Sequence, residues 1–526
     1  MREVASSITS LDDLKCLEQR IAAEIARHPL DRLLLGLRAM SPYVVEPNRG
    51  VPPHVIGTAA RFATRYGVPG PMTASANPLS PRDLNSLLRL CADFAHADPI
   101  GWNSTVPNSV LAIMLRHAGN QFPYADRPHG RWGRAEIMYN ELPDIVRLKP
   151  NGFDFDFHAR FTELTGVSIT DFIDVGYILY SAARGANHLG FAGDYFENAR
   201  ADGMTIPDDS SVRQVLSHFA ADSSKHAQLY SKYCQKDDLQ DFAAYDFNSL
   251  FVYPLIRPWP LEDNQRMELD RMVAPLPELV LYRLTSGVYY HMRDQWPRSG
   301  FDEFFGHLLE AYVGQVLGGF VAASKLISEE QIRKTFPTSA GKVPDWILLD
   351  GSTAIIIEVK VARVHRIVYA TGAEDKLEEN LDAIRGGLKQ LFGFSRAASQ
   401  KTPGLERLSH CKELINVLIT LEPNYLCSSE PYKNRMRESL EPEMRSMEWA
   451  MLSLDELERF QTHLSGDEID IASTFRLAMH QTPAKAIESM AKQSGRTFSH
   501  SMLCRKEDEL QRRIGLPSSS QRFRYQ

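Results

Sequence analysis

The sequence predicts a multidomain chain, with a mainly α-helical N-terminal domain joined to an α/β domain whose mixed sheet is flanked by helices. Three observations predict it. Up to about position 245, apolar residues recur at helical spacing behind serine and aspartate start signals. Near Phe247 the composition turns to β-branched and aromatic residues broken by prolines. From about position 298 helical and strand patterns alternate, as in a layered α/β architecture. A chain of 526 residues exceeds one ordinary core. The expected divisions are a helical accessory or recognition domain (1–245), a β or extended connector with a helix (246–297), the α/β domain (298–465) and a helical, partly disordered tail (466–526).

Ser10 and Asp13 make a capping box with aspartate in the glutamate position, opening a helix to about position 27. Ser80-Pro81 before Asp83 is an N-cap followed by proline at the first helical position. The helix it opens, over 82–97, carries Leu84, Leu87, Leu88, Cys91 and Phe94 on one face. Further helices are expected at 109–118, 169–183 and 212–234, with turn-rich stretches at 47–53 and 68–81. The aromatic run FDFDFHARF at 153–161 reads as helical core. The segments FNSLFVYPLIRPWP and MVAPLPELVLYRL give a short extended connector and a helix ending near Met292.

The α/β domain begins with a helix at 301–317, whose stripe is Phe305, Leu308, Leu309, Tyr312, Val313 and Val316. A strand follows at 320–326, then two more at 344–349 and 354–362. Next come a helix at 374–397 with Leu377, Leu381, Ile384, Leu388 and Leu391 on one face, strands at 414–421 and 448–452, and a helix at 454–463. Beyond Gly466, helices are expected near 483–493 and 506–514, and the closing GLPSSSQRFRYQ reads as disordered.

A net charge of −7 makes no global electrostatic case for a nucleic-acid partner, nor does it exclude a local basic groove. Cys16, Cys91, Cys234, Cys411, Cys427 and Cys504 are scattered without a Cys-x-x-Cys pair, which excludes a zinc ribbon and a disulfide framework. The opening MREVASSITSLDD has no apolar signal region and no stretch is long enough to span a bilayer. A cytoplasmic protein without membrane contact is expected.

The chemistry concentrates in Pro344-Asp345-Trp346 and, further on, Glu358-Val359-Lys360. Asp350-Gly351 between two β-rich runs signals a hairpin. With residues 350–353 as its loop, Leu349 pairs with Ala354, and counting outward sets Asp345 opposite Glu358. Directly opposed Cβ atoms lie roughly 5 Å apart, so the two carboxylates repel unless a cation lies between them or one keeps its proton. Lys360 projects from the same strand face as Glu358, about 7 Å along. Ile355, Ile356, Ile357, Val359 and Val361 around these charges indicate a central strand covered on both faces, where charge is costly without a function.

With its elements in this order, the domain resembles the PD-(D/E)xK nuclease superfamily, the restriction endonuclease-like and Holliday-junction resolvase-like enzymes. The family's core elements run here from about 301 to 421, within an α/β domain (298–465) that is about a third of the chain. It implies that Asp345, Glu358 and the Val359 carbonyl ligate Mg²⁺ or Mn²⁺, hard cations suited to oxygen donors. It implies that Lys360 orients or deprotonates the attacking water, or stabilises the charged phosphorane. Glu310 corresponds to the acid on the first core helix and completes the ligand set, and Gln390 to the glutamine on the helix after the lysine strand. Its bearing on Gln390 is open, because that residue lies off the centre of its helix's apolar stripe.

The same resemblance implies a metal-dependent hydrolase of DNA phosphodiesters, in bacterial antiphage defence or DNA repair. An RNA-cleaving enzyme of the same fold and a catalytically silent interaction module stay open beside it. The helical domain would then serve recognition, regulation or assembly, with another protein or a second copy as partner. His307, three residues before Glu310, is a weaker ligand candidate. Lys342, Arg363, His365, Arg366 and Lys389 are candidates for phosphate contacts, each also readable as ordinary solvated charge.

Overall fold

The computed structural model describes residues 8–41, 50–70, 77–121, 123, 131–147, 155–184, 195–234, 239–259, 272–296, 300–334, 342–362, 366–424, 426–464, 470–497 and 501–516. The first half is helical. Ser10 caps Leu11–Ala26 by accepting from the Asp13 amide, and Ser80 and Asp83 form a reciprocal capping box at Pro81–Ala95. Leu84, Leu87, Leu88, Cys91 and Phe94 are the buried stripe of that second helix, as their spacing predicts. Phe155, Phe157 and Phe161 are core residues, whereas Phe153 lies outside the described residues.

One expected helix is broken. The 212–234 segment forms Asp209–Phe219 and Ser223–Cys234, separated by strand β1 (Ala220–Ala221). It pairs in parallel with β2 (Leu255–Ile256), so tertiary pairing overrides the helical preference of the two alanines. Helices at Leu30–Ala39, Pro53–Tyr66 and Ile471–His480 were not anticipated.

The second half holds a five-stranded mixed sheet, ordered β3 (Leu326–Ser328), β4 (Trp346–Asp350), β5 (Thr353–Lys360), β6 (Glu413–Thr420) and β7 (Ala450–Ser453). β4 runs antiparallel to its neighbours β3 and β5, and β6 and β7 continue from β5 in parallel. The strand expected at 320–326 is displaced: a 3₁₀ turn occupies Ala323–Lys325 and β3 starts at Leu326. The hairpin register is the expected one, Leu349 opposite Ala354. Its loop is shorter than four residues, because Asp350 and Thr353 also pair; Gly351 takes a φ of 59° to close the turn.

The two-residue strand period sends alternate side chains to opposite faces. Leu348, Ile355, Ile357 and Val359 join Phe305, Leu309, Tyr312 and Val313 of the Phe301–Gly318 helix. On the other face, Ile347, Ala354, Ile356 and Leu418 join Leu377, Leu381, Ile384, Leu388 and Leu391 of the Glu374–Ser399 helix. β5 is thus the covered central strand. The apolar cluster on the first face extends from Trp132 to Ile514, drawing on segments from both halves of the chain. A buried ionic network reinforces it: Arg134 bonds Asp455 and both carboxylate oxygens of Glu458, and Tyr312 donates to Glu458 at 2.5 Å.

Candidate metal centre

Acidic side chains gather where β4 begins and β5 ends. Asp345 immediately precedes β4 and is buried; its Oδ2 accepts from the Val359 amide at 2.6 Å. Glu358, near the end of β5, is fully buried. Its Oε1 accepts from Lys360 Nζ and its Oε2 from Gln390 Nε2 at 2.7 Å. Gln390 spends its second amide proton on the Val343 carbonyl, also at 2.7 Å. The structure therefore brings Asp345, Glu358, Lys360 and Gln390 together, and the offset of Gln390 from its apolar stripe is what frees its amide to reach the strand.

Glu310 enters from the helix on the opposite face, half-buried, with Oε2 at 2.8 Å from His307 Nδ1. A third acid joins Glu310 and Asp345 that the sequence reading missed, Glu329. One carboxylate oxygen from each of Glu310, Glu329 and Asp345 lies within 4.8 Å of the others. Glu329 opens the short helix Glu329–Arg333, which Ser328 caps with Gln331 in a reciprocal box. Its backbone amide donates to the Asp345 carbonyl at 2.8 Å. The Ser-x-x-Gln signature at Ser328 and Gln331 marks this helix start in the sequence and was the available signal. Glu358 is outside this triad, since Lys360 and Gln390 hold its carboxylate. His307 reaches the site through Glu310.

The electrostatics follow from burial and like charge. Burial, then the neighbouring Glu358 and Glu310, pushes Asp345 well above the usual carboxylate range. Burial also pushes Glu358 up, to about 7; Lys360 counters this in part, while Glu310 and Glu329 add to it. For Lys360, burial works against the charge, yet Glu358, Asp345 and Glu310 outweigh it and hold the ammonium above its ordinary value. One ammonium leaves this cluster short of positive charge. Hard carboxylate oxygens in such a cluster suit Mg²⁺ or Mn²⁺.

The other basic candidates divide. Lys342 and Lys389 are exposed. Arg366 turns away, stacking over Phe247 and donating to the Tyr233 carbonyl. Arg363 and His365 lie outside the described residues. No helix among the described residues is long and apolar enough to cross a membrane. Comparison with family models, curated proteins and solved structures gives no significant match to any of them.

Proposed function

We propose that this protein is a divalent-metal-dependent nuclease of the PD-(D/E)xK type that hydrolyses DNA phosphodiesters. The observation that carries the proposal is the convergence of Glu310, Glu329, Asp345 and Glu358 with Lys360 at one end of the central hairpin. Glu310, Glu329 and Asp345 would hold Mg²⁺ or Mn²⁺, with Glu358 beside them. Such a cation polarises the scissile phosphate and acidifies the attacking water.

The chain's own residues supply the rest. Lys360 carries a positive charge next to Glu358 and offsets the negative charge that builds on the phosphorus oxygens. This favours charge stabilisation over proton abstraction, since its neighbours keep the amine protonated. Gln390 fixes the Glu358 carboxylate and the approach to β4 at once. His307 orients Glu310.

Within this proposal the helical region supplies recognition, regulation or assembly, and the setting is the bacterial cytoplasm, acting on foreign or damaged DNA. The test is parallel digestion of DNA and RNA by purified protein, with and without Mg²⁺, alongside Lys360→Ala. Mg²⁺-dependent cleavage lost in Lys360→Ala supports the proposal, and cleavage confined to RNA changes the substrate. Metal binding without turnover on either would identify a silent interaction module.

A further inference from the structure

Trp346, between Asp345 and the rest of β4, has no part in the chemistry above. We infer that it is the positioning residue that sets the spacing between the Glu310 helix and the acidic row of the sheet, an inference that rests on the proposed metal site. In the sheet Trp346 pairs with Ser328 on one side and with Ile357 on the other. Each of these three residues adjoins an acid: Ser328 precedes Glu329, Asp345 precedes Trp346 and Ile357 precedes Glu358. The row Ser328–Trp346–Ile357 is therefore the floor on which the sheet's three acids stand. Two hydrogen bonds from backbone amides keep them in line, the Glu329 amide on the Asp345 carbonyl and the Val359 amide on the Asp345 carboxylate oxygen Oδ2.

The fourth acid comes from another element, and Trp346 makes that connection. Its indole Nε1 donates to the Glu310 carbonyl at 3.1 Å. Its six-membered ring lies on Gly314, one turn further along the same helix face. A Cβ at Gly314 would stand 2.2 Å from Trp346 Cζ2 and 2.7 Å from Cη2, so the ring touches bare helix backbone and no larger residue is accommodated. The indole thus spans one helical turn, from the Glu310 carbonyl to Gly314. A smaller ring or a pushed-back helix changes where the Glu310 carboxylate stands relative to Glu329 and Asp345.

The experiment is Mn²⁺ binding to the full chain by calorimetry, with the metal dependence of cleavage measured in parallel. The variants are Trp346→Phe, which keeps a ring and loses the donor, and Gly314→Ala, with Gly306→Ala as control because a Cβ at Gly306 meets nothing within 4 Å. Trp346→Phe and Gly314→Ala are expected to weaken Mn²⁺ binding about tenfold, as loss of a ligand's supporting contact does, with Gly306→Ala unchanged. The metal-free melting temperature, taken on the same samples, separates positioning from plain support of the fold, which would lower melting and leave the binding midpoint in place. Should Gly314→Ala fail to fold, Trp346→Phe decides alone. Wild-type binding that Trp346→Phe leaves unchanged overturns this inference only. A wild-type protein that binds no Mn²⁺ overturns the metal site and the inference together.

Discussion

Gln390 Nε2 stands 2.7 Å from Glu358 Oε2, so a helix on one face of the sheet fixes a fully buried carboxylate on its central strand. Replacing Gln390 by alanine leaves that oxygen without its partner, a loss of about 1–3 kcal/mol for a buried charged acceptor. Gln390→Ala is expected to lower the unfolding free energy within that range. Cleavage should fall more steeply, by about tenfold to a hundredfold. Denaturant unfolding and single-turnover cleavage on the same preparation check both.

Two adjacent glycines on the Gln390 helix offer a sharper comparison. A Cβ at Gly387 would meet Leu418 Cδ1 at 2.9 Å and Lys360 Cγ at 3.3 Å, whereas one at Gly386 meets nothing within 4 Å. Gly386→Ala is therefore expected to be neutral or to stabilise the helix by up to about 1 kcal/mol. Gly387→Ala shifts Lys360, and cleavage should fall by on the order of tenfold to a hundredfold, because misplacing a reacting group by an ångström has that effect. Equal rates for the two variants would show that Lys360 does not depend on this close approach.

Stability without metal should decline as pH rises. The sign follows from protons: Glu358 goes from an ordinary 4.5 to about 7 in the folded protein, and Asp345 also moves up from 3.8. Between those values the folded chain keeps protons that the unfolded chain has lost, so stability falls as they leave. The loss begins near the ordinary carboxylate values and continues through about 7, with Asp345 extending it upward. Mg²⁺ takes the deprotonated carboxylates, so its stabilising effect should grow over the same window. Melting curves from pH 5 to 9 with and without Mg²⁺ measure this, and a gap between the two curves that stays constant with pH would contradict it.

The ionic network beneath the sheet is a test of the fold that is independent of the site. Arg134 is buried and paired with Asp455 and Glu458, linking a helix of the first half to the Leu454–Leu464 helix of the second. Arg134→Ala leaves buried Glu458 without its cation and Asp455 with Arg131 alone, and is expected to destabilise the protein by about 3–5 kcal/mol. Arg131→Met and Arg134→Met combined with Asp455→Leu and Glu458→Leu, which remove the charges together, should recover much of that loss in denaturant unfolding.

Local signals carried most of what was legible in the sequence. The hairpin register came from a turn dipeptide and strand alternation, which is enough to set Leu349 opposite Ala354. The caps at Ser10 and Ser80 were readable because a serine hydroxyl and a following amide settle them within four residues. Elements decided by distant partners were not readable. The Ala220–Ala221 strand exists only because Leu255–Ile256 lies beside it. β3 is three residues long because only Leu326–Ser328 meets β4, so the apolar run before it misled. Glu329 was passed over since its nearness to Asp345 depends on that same short pairing. Trp346 adjoins Asp345 in the sequence, where its contact with Gly314 is invisible because it exists only in the packed helix.

The measurement that tests the central claim most directly is incubation of closed circular and linear DNA with the wild-type protein and with Glu358→Ala, each with Mg²⁺ or with chelator. The account predicts breakdown of the circular or the linear DNA by the wild-type protein with Mg²⁺, and intact DNA with Glu358→Ala and in every chelated sample. Cleavage by Glu358→Ala at the wild-type rate, or cleavage that persists in chelator, would contradict it.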